Sequence, residues 1–146
     1  MRRAGIEDLE LVVPLFDAYR QFYRQKPDIE LARSFLSDRF RNGESVVFLA
    51  LSSDGIALGF TQLYPSFSSG AARRIFILND LFVTHAARRQ GVGLALLQAA
   101  ADFAQAEGAV RLTLSTALDN STAQALYEIA GWQRDKVFCV YTLPLG

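Results

Sequence analysis

Arg88, Arg89, Gly91 and Gly93 stand directly before a long apolar segment, in the stretch RRQGVGLALLQAAADFA that runs from 88 to 104. Two glycines two positions apart, beside arginines and ahead of helical residues, have two readings. The first is an anion site. The first turn of a helix carries backbone N–H groups with no partner inside the helix, and the macrodipole adds partial positive charge there. Glycine lets a backbone approach an anion without a Cβ in the way, and guanidinium groups add charge-assisted hydrogen bonds at the rim. The second reading is a tight strand-to-helix turn that holds nothing. The spacing is not G-x-x-x-x-G-K-[ST], which disfavours a nucleoside-triphosphate loop. It is not G-x-G-x-x-G either, because Leu96 stands where a third small residue belongs. A dinucleotide site also wants an acidic residue at the end of the next strand, and that strand ends in Ser115 and Thr116.

Other chemistries are limited by what the chain lacks. Its one histidine, His85, cannot form a His cluster, and no zinc spacing or calcium loop occurs. No metal site is expected. Its one cysteine, Cys139, excludes an internal disulfide and reads as a small core residue in an apolar run. His85 reads as a solvated turn residue. Ser115 and Thr116 have no arguable Ser-His-Asp partners. The formal net charge is zero and the basic residues are dispersed, so nothing argues for nucleic acid or an anionic membrane. No segment approaches the roughly 20 apolar residues of a membrane span, and the basic N-terminus meets acidic residues before any signal-peptide core. These features predict a soluble, cytoplasmic protein. At 146 residues, 51% of them hydrophobic, one domain over 1–146 is expected.

The elements that must position the glycine turn follow from periodicity. Residues 6–24 carry apolar side chains at helical spacing, interrupted at Pro14, which predicts a kink. Asp28 is a candidate N-cap for a second helix that stops at Gly43. SVVFLAL and IALGFTQLY, joined by SSDG, predict a hairpin. PSFSSGAA reads as a loop and RRIFILNDLFV as a longer strand. After the glycine turn comes a helix to about Glu107, then the strand AVRLTLST. A helix follows with Asp119 or Asn120 near its cap, and KVFCVYTLPL reads as a last strand. This order predicts an α/β fold with a mixed sheet and helices on both faces, and a β-α-β crossover at the glycine turn.

Taken together, these segments resemble the GNAT superfamily of N-acetyltransferases. The acyl-CoA signature [Q/R]-x-x-G-x-[G/A] is met by Arg88, Gly91 and Gly93, with Val83 as the hydrophobic end of the preceding strand. The downstream pattern N-x-x-A-x-x-[L/F]-Y is met by Asn120, Ala123, Leu126 and Tyr127, and Ala130-Gly131-Trp132 follows. The helix pair and hairpin fit the family order, so the resemblance spans nearly the whole chain.

The resemblance implies a mostly antiparallel sheet that splays between its central parallel strands. Acetyl-CoA enters the gap as co-substrate, with its pantetheine arm along the edge of residues 75–83. A bulge near Asn79–Leu81 would open that edge. Cofactor-binding residues are then Leu81, Phe82 and Val83 by their strand, Arg88, Arg89, Gln90, Gly91, Val92 and Gly93 by the phosphate turn, and Asn120 and Tyr127 downstream. The implied reaction is attack of a neutral amine on the thioester, with the Leu81 N–H stabilising the oxyanion and Tyr127 protonating the leaving thiolate. Asp80 is the candidate base or ammonium anchor; the plainer reading is a hydrogen-bond acceptor at a bulge. Asn79 replaces an acidic residue found in polyamine-acetylating relatives. Tyr127 has the plainer reading of a core tyrosine, and Asn120 that of a helix cap.

Tyr19, Tyr23, Tyr64 and Phe67 are candidates to line the acceptor pocket with Asn79, and Arg20 or Arg24 to meet a substrate carboxylate; otherwise they are core aromatics and solvated arginines. A small amine, polyamine or amino acid is the favoured acceptor. A protein N-terminus or lysine, and a non-catalytic acyl-CoA-binding module, are the alternatives. A homodimer through the apolar C-terminal strand is possible.

Overall fold

The computed structural model describes all 146 residues. They fall into two units, residues 1–115 and 116–146, each described by itself.

The first unit is a five-stranded sheet with helices on both faces. Its strands are β1 (Arg2–Ala4), β2 (Val46–Leu51), β3 (Ala57–Ser68), β4 (Arg73–Val83) and β5 (Leu112–Thr113), and they lie in that spatial order. The first four pair antiparallel, and β5 pairs parallel to β4. Helices α1 (Leu9–Phe22) and α2 (Ile29–Arg41) cover one face. Their buried residues Val12, Phe16, Ala32 and Leu36 share a core with Val47, Leu49 and Phe60. Phe48 points the other way, as strand alternation requires, and meets the Phe103 ring of α3 (Val92–Ala106), which also packs edge-on against Phe76.

The sequence departs from this picture in four places. Residues 65–68, read as a loop, extend β3, with Pro65 opposite Phe76. β2 ends opposite Leu63, so beyond that point β3 is an edge, where proline's missing N–H deprives no neighbour of a bond. The strand β1 gave no signal, being three residues long and held by pairing with Val47–Leu49. The helix at 6–24 begins as a short 3-10 turn at Ile6–Asp8, and α1 runs through Pro14. The fifth strand shrinks from AVRLTLST to two residues.

The second unit holds α4 (Ser121–Ile129), capped by Asn120, and no strand. The run 136–145 lacks the expected extended pairing. Its apolar residues Val137, Phe138, Val140, Tyr141, Leu143 and Leu145 are 78% to 93% exposed, and Cys139 is exposed rather than a core residue. Alternating apolar residues favour a strand only where a neighbouring strand accepts their backbone bonds, and none pairs with this segment.

Candidate active site

The site begins with a fault in a strand pair. Across β3 and β4, Gln62 opposes Asp80 and Leu63 opposes Leu78, so Asn79 is an extra residue with no partner opposite. That is a β-bulge, and it bends β4 and re-aims the side chains beside it. On the other side of β4, β5 pairs only with Phe76 and Ile77. From Leu78 to Val83 no strand pairs with that edge, which is where the family resemblance puts the gap.

Parity fixes which backbone groups face the gap. The Thr84 N–H donates to Leu58 O at 2.9 Å, and Val83 opposes Gly59. Hydrogen-bonded and non-bonded pairs alternate along an antiparallel ladder. Phe82 therefore bonds across to Phe60, whereas Leu81 and Val83 turn their N–H and C=O toward the open edge. Arg88 Nε already donates to Val83 O at 3.2 Å. Gly59 permits β3 to lie this close: a Cβ there would come within 2.6 Å of Phe82 O.

Six residues beyond β4, the chain enters α3 through Arg89 and Gly91, both at positive φ (63° and 79°). Gly91 has open space where a Cβ would stand, so its glycine is required by backbone conformation rather than by crowding. No side chain caps this helix. The helix bond nearest the turn runs from Ala95 N to Gly91 O, which leaves the amides of Val92, Gly93 and Leu94 outside the helical ladder. Arg89, Gln90 and Gly91 are exposed beside them. By contrast α2 is capped by Asp28 Oδ1, which accepts from Leu31 N, and α4 by Asn120 Oδ1, which accepts from Ala123 N. α3 buries Leu96, Leu97, Ala100 and Ala104 and leaves Leu94 exposed.

On the α1–α2 face of the bulge sits Asp80, 1% exposed. Gln62 Nε2 donates to its Oδ2 at 2.6 Å and Asn79 Nδ2 to its Oδ1 at 2.9 Å. Thr61 Oγ1 donates to its backbone oxygen, and the Tyr19 hydroxyl to Asn79 O at 3.0 Å. No cation pairs with it. Burial pushes the Asp80 carboxyl above its ordinary value, against the pull of its hydrogen bonds from Asn79, Gln62 and Tyr19. Burial, then the Asp80 charge, pushes the Tyr19 phenol up; Tyr64 is raised by the same two causes, opposed by Arg39. The Tyr23 ring lies tilted against that of Tyr19, 4.9 Å between ring centres. The structure thus brings Tyr19, Tyr23, Tyr64, Asn79 and Asp80 together.

Other candidates fall elsewhere. Phe67 is exposed, with the Arg74 guanidinium over its ring at 4.2 Å, and is not in this cluster. Arg24 is exposed, and the Nη1 of Arg20 is buried without a hydrogen bond. His85 is exposed in the turn after β4 and borders an open apolar cleft of about 470 Å³ lined by Leu11, Pro14, Leu15, Ala18 and Phe82. In the second unit, Tyr127 is half-buried with its ring 6.2 Å from that of Trp132. No cluster of potential metal ligands exists, and no helix is long and apolar enough to cross a membrane. Sequence reasoning missed Gln62 and Thr61. The available signal was a glutamine two residues from Phe60, on the core-facing side of an otherwise apolar strand.

A bulged, splayed strand leading into an uncapped glycine turn defines the class, and comparison with known proteins agrees. The acetyltransferase (GNAT) family model matches residues 12–132, through both units. The chain belongs to this family and is an N-acetyltransferase. It is 48% identical over 143 residues to the uncharacterized N-acetyltransferase YhfO of Bacillus subtilis, covering 98% of this chain and 95% of that one. It is 34% identical over 110 residues to an aminoglycoside N(6')-acetyltransferase type 1 of Klebsiella aerogenes, covering 74% and 71%. A crystal structure of a probable acetyltransferase matches with a TM-score of 0.95 at 47% identity, over 100% of this chain and 99% of that one. The aminoglycoside N-acetyltransferase AAC(6')-Iy, solved in complex with CoA, shares the fold at a TM-score of 0.82 and 18% identity, over 99% and 93%.

Proposed function

We propose that this enzyme moves the acetyl group of acetyl-CoA to a small primary amine by direct attack in a ternary complex, within one catalytic domain. The observation that carries the reading is Asp80, a buried carboxylate without a cation, next to the edge where the Leu81 and Val83 backbone groups face no strand. A primary ammonium supplies the missing charge. Its N–H groups displace the Asn79 amide from Oδ1, and the rings of Tyr19 and Tyr64 supply faces for a cation. Relatives whose names specify aminoglycosides or D-amino acids accept small amines of this kind, which supports the class without fixing the member.

The pantetheine arm pairs with the free edge at Leu81 and Val83, and the pyrophosphate takes the amides of the Arg89–Gly93 turn, with the Arg88 guanidinium at its rim. Asn120 contacts the arm in addition to capping its helix. Asp80 accepts a proton from the ammonium, leaving a neutral nitrogen whose lone pair attacks the thioester carbon. The Leu81 N–H stabilises the oxyanion. Collapse breaks the carbon–sulfur bond, the thiolate takes the Tyr127 hydroxyl proton, and the surplus proton on the former amine nitrogen passes through water to restore the tyrosine, leaving the neutral amide. The exposed apolar residues of 137–145 are the support for a homodimer, readable by sedimentation, and the reading places the enzyme in the cytoplasm.

Free-thiol release from acetyl-CoA with a panel of amines, amino acids and peptides tests this. Release that requires one amine class and falls about 10²–10⁴-fold in Tyr127→Phe is expected. Tight acetyl-CoA binding with no release for any acceptor would overturn it.

A further inference from the structure

Gln62 has no evident reason to be polar. It is 0% exposed, between Phe60 and Leu63, and both of those are fully buried hydrophobics. Only half of its amide is used: Nε2 donates to Asp80 Oδ2, while Oε1 is buried with no hydrogen-bond partner. An orphaned buried acceptor is unfavourable, and an apolar residue of the same shape avoids it. A side chain with a donor end and an acceptor end is useful where the group it faces changes between acceptor and donor. Asp80 is such a group. Ionised, it accepts from Nε2. Protonated, it needs an acceptor, and turning the amide over presents Oε1. The 2.6 Å separation is short for N–H···O and ordinary for O–H···O, so the same spacing serves both.

We infer that Gln62 is a positioning residue for Asp80 whose amide serves both forms of the carboxyl: its N–H holds the carboxylate at Oδ2, and, once the amide and the newly protonated carboxyl have each turned over, its Oε1 accepts from the O–H formed at Oδ1 with the proton of the substrate ammonium. The inference rests on the acetyl-transfer reading above. In this step an N–H bond of the ammonium breaks and an O–H bond forms on Asp80, and the electron pair stays on nitrogen. The proton returns to water as product leaves.

No other group near Asp80 duplicates the role. The Tyr19 hydroxyl of α1 is engaged with Asn79 O at 3.0 Å, and no hydrogen bond joins Tyr23, just past α1, or Tyr64 of β3 to Asp80. Arg39 of α2 acts on Tyr64 and is paired with Glu44. Asn79 is exposed and yields its bond to substrate in the proposed binding step.

The test uses Gln62→Met, which keeps the shape and removes both ends of the amide, with Gln62→Glu as the isosteric partner variant. Two quantities are read: the pH profile of kcat/KM, and the titration of the Asp80 carboxyl carbon by NMR, identified by its loss in Asp80→Asn. Removing one hydrogen bond to a charged group should raise the titration and the acidic limb together by about one to two pH units. The plateau kcat should fall about tenfold with KM changed less, as for a proton step on the bound substrate. Gln62→Glu should raise both further, because a second carboxyl faces the first. A folded Met variant with an unchanged Asp80 titration overturns the inference and leaves the acetyl-transfer reading standing. A titration that moves while the rate profile stays fixed overturns Asp80 as the proton acceptor, and the inference with it, while the measured release leaves acetyl transfer itself standing. If Gln62→Met does not fold, an unshifted titration in Gln62→Glu is the overturning result.

Discussion

Asp17 and Asp80 are both buried aspartates, at 5% and 1% exposure, and neither pairs with a cation. They differ in what holds them. Asp17 Oδ1 accepts from the backbone N–H of Asp28 at 2.9 Å, and its Oδ2 from Gln21 Nε2 one helical turn on. Asp17 ties α1 to the residue that caps α2, so its partners are part of the frame. Asp80 is held by side-chain amides at a bulge, one of them exposed. A partner that can swing away leaves room for a ligand; a backbone amide does not. The same residue type therefore serves as a strut in one place and, in the proposed mechanism, as the proton acceptor in the other.

Asp80→Asn should separate the two roles most sharply. The amide keeps the shape, and its NH₂ can donate to the orphaned Gln62 Oε1. With the base removed, kcat/KM should fall by about 10²–10⁴-fold in the thiol-release assay. Stability should move the other way. Burial raises the folded-state pKa of Asp80, so the native state holds this proton more tightly than the unfolded chain. The contribution is present below the unfolded pKa and is lost as pH rises through the folded one. Above the folded-state value the ionised group destabilises the fold. Its replacement should raise Tm by about 2–4 °C, one kilocalorie's worth at this chain length, in a thermal melt at pH 7, and the gain should vanish at low pH. A lower Tm at neutral pH would make Asp80 a strut like Asp17.

Asp17→Ala should give the converse. The Asp28 N–H loses its acceptor, and the loss of stability should be about 1–3 kcal/mol by urea unfolding, with kcat/KM per folded molecule unchanged. A large loss of rate in the folded fraction would show that the α1–α2 entry is coupled to the bulge, and the contrast between the two aspartates would fail.

The contrast was only partly legible in the sequence. Elements with strong local signals came through: α2 with its Asp28 cap, the hairpin around SSDG, β4, and the glycine turn into α3. Asp80 stood out through the family resemblance, which places it beside the expected bulge at the reacting centre. Gln62 did not, because its importance comes from the residue opposite it, and cross-strand register is not a local property. The same reason hides β1 and cuts β5 to two residues, since short strands exist only by pairing. The apolar run at 137–145 shows the opposite error. Its pattern is that of a strand, but pattern states a preference, and no partner strand is there to realise it.

The smallest effect extends the comparison to helix ends. Asp28 caps α2 through its side chain, whereas α3 starts at Gly91 with no side-chain cap and free first-turn amides. A cap stabilises by satisfying those donors; an open end leaves them for a ligand. Asp28→Ala should therefore cost about 1 kcal/mol of stability and leave the Kd for acetyl-CoA unchanged. Gly91→Ala places a Cβ in open space but holds it at φ 79°. The left-handed conformation costs about 1–2 kcal/mol for a residue with a Cβ, and relief of that strain displaces the amides. Acetyl-CoA binding by calorimetry should weaken about tenfold, with a stability loss similar to that of Asp28→Ala. Equal stability losses with unequal effects on Kd would distinguish a capped helix end from one kept open for an anion. Unchanged binding in Gly91→Ala would return the glycine turn to a purely structural role.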